Sequence, residues 1–474
     1  MEFLAQFVDN DGNPTGPQVS LPVTTTTLNM TELVNNFLGN DDPTPFSFYV
    51  NEEQVVKGLE SIAQNVSTEN VMKIVYRPES SFGVRPVSFC SATLPGHSHT
   101  ILCIAFSNTG LDLATGGGDG SVIFWDVSTQ TMKQKLPIKD KCWLQCINWH
   151  QDGEILAVAG TDGIVRIIHR NKKDSNFSVR NEFKVSNSPI FALEWEPLHL
   201  QDSLFPRLVT TTKNGEVNIW CSKTGRRMIG FNGHQKQVMG LAWGADGVIF
   251  TSSHDRTVKA WSSETGEELA KYQARSGAWR TLAISTAFVL RTGGYELGKL
   301  VEEDSKAGAL KRLAEHRKQN PIEMIAVGGE DHTVSLLRYE NKSFIEVQRI
   351  TGHTNTINHI CFSPNGYWLS TASFDKCVKI FDGKTGKFIC TLGKGRGRYT
   401  GTHVGPVYRL AWSADARKLI SASSDTTLKV WSITTQKLIA DLPGHEDEVY
   451  AVDWSPAGSP AASGGKDQKV KLWK

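Results

Sequence analysis

A hydroxyl residue, a histidine and an aspartate recur together five times in this chain at nearly constant spacing. The hydroxyl lies four residues before Asp119, Asp255, Asp375, Asp425 and Asp467, as Thr115, Thr251, Thr371, Ser421 and Ser463. A histidine lies 21 or 22 residues before each aspartate: His97, His234, His353, His403 and His445. These are the residue types of nucleophilic acyl transfer, in which an imidazole held by a carboxylate activates a hydroxyl. Such a site needs its three groups once. Five sets imply a repeated structural device, and in each a large ring follows the aspartate by six residues (Trp125, Trp261, Phe381, Trp431 and Trp473). A His–Asp pair, a hydroxyl and an indole N–H can satisfy one another under a sheet and fix its geometry. The chain is therefore read as a binding protein, not an enzyme.

Other chemistry finds no motif. The eight cysteines are scattered, Cys142 and Cys146 being the closest pair, and no CxxC is present. That spacing predicts neither a metal centre nor a disulfide framework, and buried reduced thiols of an intracellular protein are expected. No glycine-rich phosphate loop follows a strand and opens a helix. No cofactor of the chain's own is expected. With 51 Lys and Arg against 49 Asp and Glu, the net charge of +2 demands neither nucleic acid nor an anionic membrane as partner. Residues 1–6 lack the basic start and apolar run of a secretory signal. The apolar stretch 281–290 is far too short to cross a bilayer. A soluble intracellular protein is the expectation.

The elements that must hold the five sets follow from the repeat. Alternating apolar residues, a tight turn carrying Asp and a second alternating run make a β-hairpin. A repeat of roughly 40–45 residues built on such hairpins is the signature of a β-propeller. Weaker copies occur at Asp162 with Ile168, Asn214 with Trp220, and Asp331 with Leu337. They bring the expected blades to eight. Residues 302–318 are polar, charged and helix-prone, which argues against a ninth blade between Asp255 and Asp331. The last copy ends at Trp473 without an outermost strand, so residues 88–94 are expected to supply it and close the ring. The propeller is assigned to residues 87–474.

Residues 1–86 carry no such repeat. Strands are expected over 3–8, 18–23, 45–50 and 71–76, with a helix capped by Thr27 or Asn29 and running to Leu38. The order ββα then ββ is that of a ubiquitin-like α+β grasp, though other small α+β folds share it.

With both parts placed, the chain resembles the Notchless family of WD40-repeat ribosome-assembly factors. The runs that carry the resemblance are DLPGHEDEVYAVDWS at 441–455, Trp195-Glu196-Pro197-Leu198-His199, Leu290-Arg291-Thr292-Gly293, and Tyr76-Arg77-Pro78 with Val84-Arg85-Pro86-Val87. The resemblance implies an eight-bladed WD40 propeller behind a ubiquitin-like domain. It also implies a nuclear and nucleolar protein, monomeric outside its particle, that joins precursors of the large (60S) ribosomal subunit. The family's ubiquitin-like domain is gripped by the metal-ion-dependent adhesion site of the AAA+ ATPase midasin, through a glutamate just before the last strand. That position here is Glu69, whose carboxylate would complete the shell of a Mg²⁺ belonging to the partner. Without the resemblance, Glu69 reads as an ordinary solvated residue.

The chain departs from the family pattern in several places, one being the end of the second copy, Ile167-Ile168-His169, where Trp-Asp is the pattern. The second and third copies lack a Gly-His pair. Residues 393–401 lengthen a connection that is normally tight, and their Lys394, Arg396 and Arg398 suit ribosomal RNA phosphates as well as they suit a flexible solvated insertion. A scaffold for ubiquitin-ligase or Notch-type signalling complexes is the alternative reading. It would expect an F-box-like helical segment before the propeller, and the sequence shows none.

Overall fold

The computed structural model describes residues 2–9, 14–23, 25–38, 46–50, 53–55, 59, 71–78, 87–139, 142–171, 175–201, 205–231, 233–274, 277–395, 398–399 and 401–474. The chain divides into two compact units, Met1–Gly83 and Val84–Lys474. In the first, strands Glu2–Val8 and Pro14–Pro22 pair antiparallel, and Glu2–Val8 lies parallel to Met72–Pro78. Phe46–Val50 joins the other side of Met72–Pro78, with the short strand Glu53–Gln54 at the edge. Helix α1, Thr27–Leu38, packs on this sheet. Its apolar positions Met30 and Val34 are one turn apart and fully buried beside Phe7, Phe48 and Ile74. The cap differs from the expectation: Asn29 N–H donates to Thr26 Oγ1 (3.4 Å), so the hydroxyl one residue earlier holds the first turn. This mixed sheet around one helix fits the ubiquitin-like fold.

The second unit contains eight four-stranded antiparallel sheets among the described residues. The blades are numbered here in chain order. Blade 1 runs from Ile101–Phe106 to Thr131–Pro137, and blade 7 from Val407–Trp412 to Leu438–Leu442. Blade 8 takes its first three strands from Val449–Trp454, Ala461–Gly465 and Lys469–Trp473. Its fourth is Cys90–Pro95, paired antiparallel with Lys469–Trp473, and Ser88 and Phe89 donate N–H to Lys474 O at 2.9 and 3.0 Å. The two ends of the unit thus share one sheet. Each innermost strand touches those of both neighbouring blades, which closes the ring.

The hairpin turn behind each aspartate is built alike in all eight blades. The residue after the Asp or Asn has φ between 64° and 88°, as Gly120, Gly163, Gly215, Arg256, His332, Lys376, Thr426 and Gln468. This left-handed backbone suits glycine, and at Gly120 a Cβ would stand 1.8 Å from Lys139 O. Where another residue stands, the aspartate offsets the strain by accepting the turn's amide, as Asp425 Oδ1 does from Thr427 N–H at 3.1 Å. Neighbouring blades are latched by tryptophans. Trp149 Nε1 donates to Ala105 O, and Trp195 Nε1 to Asn148 O, both at 3.0 Å.

The charged stretch expected to be helical is helix α3, Ser305–Gln319, capped by Asp304, whose side chain accepts from Lys306 N–H at 3.0 Å. It follows α2, Ala287–Thr292, and a hairpin of Tyr295–Glu296 with Lys299–Leu300. All three lie between the first strand of blade 5, Trp279–Ile284, and its second, Met324–Gly329. The stretch is an insertion within one blade. The 281–290 run is divided between that first strand and α2, and no helix among the described residues is long and apolar enough to cross a membrane.

Candidate functional site: blade networks, a plugged channel and the family match

In blade 7 the His403 ring ties the loop before the first strand to a hairpin turn and to the second and third strands. Its Nδ1 lies 2.9 Å from Asp425 Oδ2, its Nε2 lies 2.7 Å from Ser421 Oγ, and Trp431 Nε1 donates to the same Oγ at 2.9 Å. The carboxylate accepts a hydrogen bond from Nδ1–H, which leaves Nε2 to accept from the hydroxyl and the hydroxyl to accept from the indole. The chain repeats in blades 1, 4, 6 and 8, with His97, His234, His353 and His445 at 2.7–3.1 Å from Asp119, Asp255, Asp375 and Asp467. Trp125, Trp261 and Trp473 donate to their hydroxyls at 2.7–2.9 Å, whereas Phe381 of blade 6 has no donor to offer.

Burial alone would raise these carboxyls. Hydrogen bonds from the histidines, with those from turn hydroxyls and amides, outweigh it and hold all five below the ordinary carboxylate range, Asp375 at about 2. The atom connectivity is that of a hydrolytic triad, yet every one of the five hydroxyl residues has 0 % exposure. A nucleophile that no substrate can reach is a brace.

Blades 2, 3 and 5 solve the same problem with residues the spacing did not reveal. In blade 2 the fully buried Arg166 replaces histidine, its Nη2 lying 2.7 Å from Asp162 Oδ2. In blade 5, Arg349 reaches Asp331 Oδ2 at 3.0 Å from the outermost strand. Blade 3 keeps only the indole bond, Trp220 Nε1 to Thr210 Oγ1 at 3.0 Å. The visible signal for Arg166 is a positive charge between the apolar Val165 and Ile167 of a buried strand; Arg349, which follows Gln348 on an outermost strand, has no such signal.

The insertion of blade 5 spreads over the face where first strands connect to second strands. Arg291 of α2 forms two bonds to Asp453 of blade 8, the shorter 2.5 Å. Lys306 Nζ donates to Gln201 O of blade 3 at 2.7 Å, and Arg317 pairs with Asp246 of blade 4 at 2.5 Å. Asn320 Nδ2 donates to Asn365 O of blade 6 at 2.8 Å. Arg312 ties the two helices together by donating to Thr292 Oγ1 and Gly293 O. One segment therefore clamps blades on opposite sides of the ring. Two of the sequence runs quoted above meet here, since Arg291 and Asp453 come from segments 162 residues apart.

Inside the ring lies a channel of about 500 Å³, lined by the innermost strands and including Gln145, Glu194, Arg280, His359 and Arg409. A continuation of about 330 Å³ runs past Glu194 and His359 to Arg291. Burial pushes the Glu194 carboxyl up to about 7 against the lowering effects of the Asn148 amide and Arg291. Burial, reinforced by Arg409, pushes His359 down to about 3, so its ring is neutral; its Nδ1 accepts from Leu410 N–H at 3.4 Å. Cys103, Cys146 and Cys361 stand in the channel wall with thiols pushed up by burial. The expectation of buried thiols fails at Cys90, which is exposed.

The partner-facing expectations fall elsewhere. Glu69 and Arg396 lie outside the described residues. Lys394–Gly395 and Arg398–Tyr399 pair as a small antiparallel hairpin on the way to blade 7.

Comparison with known proteins accounts for both units. The NLE (NUC135) domain model matches residues 3–63. The WD domain, G-beta repeat model matches residues 88–126, 225–262, 344–382, 396–432 and 436–474, and the Anaphase-promoting complex subunit 4 WD40 domain model matches 137–197. The chain is 36 % identical to Protein Notchless of Drosophila melanogaster over 76 % of its own length and 74 % of that protein. It is 38 % identical to the Notchless protein homolog of Arabidopsis thaliana, covering 85 % and 83 %. It is 35 % identical to Ribosome assembly protein 4 of Saccharomyces cerevisiae, covering 80 % and 78 %. The crystal structure of the computationally designed Ika8 protein superposes with a TM-score of 0.61 over 82 % of this chain and 99 % of that one; at 21 % identity the likeness is one of fold alone. With the N-terminal domain and the repeats matched in order, and relatives above one-third identity along most of its length, the chain belongs to the Notchless family.

Proposed function

We propose that this chain is a non-catalytic assembly factor of the large ribosomal subunit, working in the nucleus and nucleolus. The observation that carries the reading is the similarity to two proteins named Ribosome assembly protein 4, each matched at 35 % identity over about four-fifths of this chain. The propeller is the docking element. Its braced blades and cross-ring clamp give a rigid surface, which suits binding in a fixed orientation. The N-terminal unit is the handle for release: a midasin-type AAA+ ATPase takes Glu69 as the last oxygen ligand of its own Mg²⁺ and pulls the factor off. The chain contributes a carboxylate and no metal of its own. Affinity purification of the tagged full chain tests the reading. Large-subunit rRNA precursors and the ATPase should co-purify; recovery of ubiquitin-ligase or receptor components without precursor rRNA would replace it with the scaffold reading.

A further inference from the structure

Blades 1 and 2 fill three matching positions with opposite chemistry. In each, the start of the second strand pairs with the end of the third: Asp112 with Asp126, and Ile155 with His169. The fourth strand then bulges by one residue, at Lys133 in blade 1 and at Arg180 in blade 2. A bulge re-aims the side chain it inserts. In blade 1 that cation is neutralised twice, because Lys133 pairs with Asp112 and also with Asp126, at 3.2 Å. In blade 2 an isoleucine and a histidine stand where the two carboxylates would be. Burial and the Arg180 charge lower His169 against the pull of Asp152, so its ring adds no negative partner and no second charge. Arg180 is exposed and has no ion pair among the described residues.

His169 and Arg180 border a groove of about 680 Å³ between the outer parts of blades 2 and 3, which shares no lining residue with the central channel. Two more cations line it, Arg170 and Lys223, and no carboxylate does among the described residues. Carboxylates close by are engaged: Asp112 by Lys133 and by Arg170 at 3.1 Å, Asp152 by His150 at 3.0 Å, and Glu182 by Arg166 at 3.4 Å. Lys223 Nζ sits 3.9 Å from the centre of the Phe205 ring, with no acid beside it. Asn181 Nδ2 donates to Ser222 O and Lys223 O at 2.9 and 3.0 Å. The strand that carries Arg180 is therefore tied to the turn that carries Lys223. Two unneutralised cations from different blades are held beside one concavity.

A ligand that satisfies both cations brings two negative charges close together, with some apolar surface for Ile155 and Pro206. A phosphate monoester carries about −1.5 to −2 at neutral pH on three acceptor oxygens, where a carboxylate carries one charge. The groove is open and Arg180 and Lys223 are exposed, so a small free phosphate would keep much of its surface in water. Sites for small molecules bury most of their ligand. The phosphate is therefore expected on a longer chain. An RNA strand offers single charges in a row and bases to stack. Here the cations face one groove, Lys223 already covers the Phe205 ring, and the exposed Arg226 and Arg227 do not line it. We propose that the groove between blades 2 and 3 is a phosphopeptide site, in which Arg180 and Lys223 hold the phosphate of a partner protein's phosphoserine or phosphothreonine. The proposal stands whether or not the particle that the propeller joins is a pre-ribosome.

The test is capture of synthetic peptide libraries by the full-length chain, one with a fixed central phosphoserine and one with serine in its place. Fluorescence anisotropy follows with the enriched peptide. The phosphoserine library should enrich and the serine library should not. Affinity for the enriched peptide should fall by about tenfold or more when its phosphate is removed, and as far with Arg180→Gln or Lys223→Gln. Arg180→Lys should retain part of it. His169→Asp, which restores the carboxylate that blade 1 has at this position, should weaken binding by supplying Arg180 with an internal partner. Because Arg180 and Lys223 have no ion pair to lose, both glutamine variants should melt with the parent; should one not fold, the other decides. No enrichment, equal binding of the serine form, or full affinity in the glutamine variants would overturn the proposal. So would displacement by ribose 5-phosphate at the concentration at which the phosphopeptide itself competes, or tighter Arg180-dependent binding of single-stranded RNA. Co-sedimentation of Arg180→Gln with ribosomal precursors is read separately and bears only on the proposed function.

Discussion

Replacing Asp425 by Ala removes the acceptor at the centre of the blade 7 brace. The carboxylate takes four hydrogen bonds: from the His403 ring at 2.9 Å, Val404 N–H at 2.8 Å, and Thr427 N–H and Oγ1 at 3.1 and 2.7 Å. They do not count equally. Val404 is 77 % exposed, so water can replace its lost acceptor. The His403 side chain is 1 % exposed and has no second acceptor for its Nδ1 proton. A buried donor left unpaired costs about 1–3 kcal/mol, and each half-buried Thr427 donor adds about 0.5–1.5 kcal/mol. The expected loss is about 2–6 kcal/mol. For a cooperative unit of this size, 1 kcal/mol moves Tm by about 1 °C, so a drop of about 2–6 °C should appear in thermal unfolding. The pH dependence supplies a second reading. Asp425 is held below its unfolded value, so its stabilisation is complete above about pH 4 and is lost as pH falls through the folded value. The parent should therefore lose stability below pH 4 more steeply than Asp425→Asn. An unchanged Tm for Asp425→Ala together with identical acid profiles would refute the brace.

Two other predictions concern charge. Burial raises Glu194 to about 7, so the folded state binds a proton that the unfolded state releases near its ordinary value; stability from this group is present below about pH 4.5 and lost as pH rises to 7. Glu194→Gln should flatten that part of the Tm–pH curve, and an unaltered slope would show that the carboxyl titrates normally. If the 393–401 connection touches rRNA, changing Lys394, Arg396 and Arg398 to Ala should weaken precursor association and flatten its salt dependence; unchanged co-sedimentation across a salt series would leave it as a solvated loop.

Five blades were legible because each repeats a local code of hydroxyl, Asp and ring that a hairpin imposes within eleven residues, and three more because part of that code persists at Asp162, at Asn214 with Trp220, and at Asp331. The same locality hid the exceptions. Arg166 and Arg349 replace histidine from different strands, so no fixed spacing announces them. The polar stretch within blade 5 reads plainly as a helix, but its role as a clamp depends on pairs such as Arg317 with Asp246, which only the packing of the blades brings together. The place of Arg409 in the channel wall was invisible for the opposite reason. In Val407-Tyr408-Arg409-Leu410 it looks like a solvent-facing residue of an alternating strand, and the face it occupies becomes a channel only when eight such strands meet.

The most direct measurement of the central claim is the distribution of full-length Glu69→Asp on a sucrose gradient beside the parent chain. Asp withdraws the carboxylate by about 1.5 Å, which is large against Mg²⁺–oxygen distances of roughly 2.0–2.1 Å. The variant should lose most Mg²⁺-dependent binding to the ATPase's adhesion site. It should still dock through the propeller, accumulate on large-subunit precursors and act dominantly when expressed beside the parent. A Glu69→Asp profile identical to the parent's, or absence of both from the precursor fractions, would contradict the account.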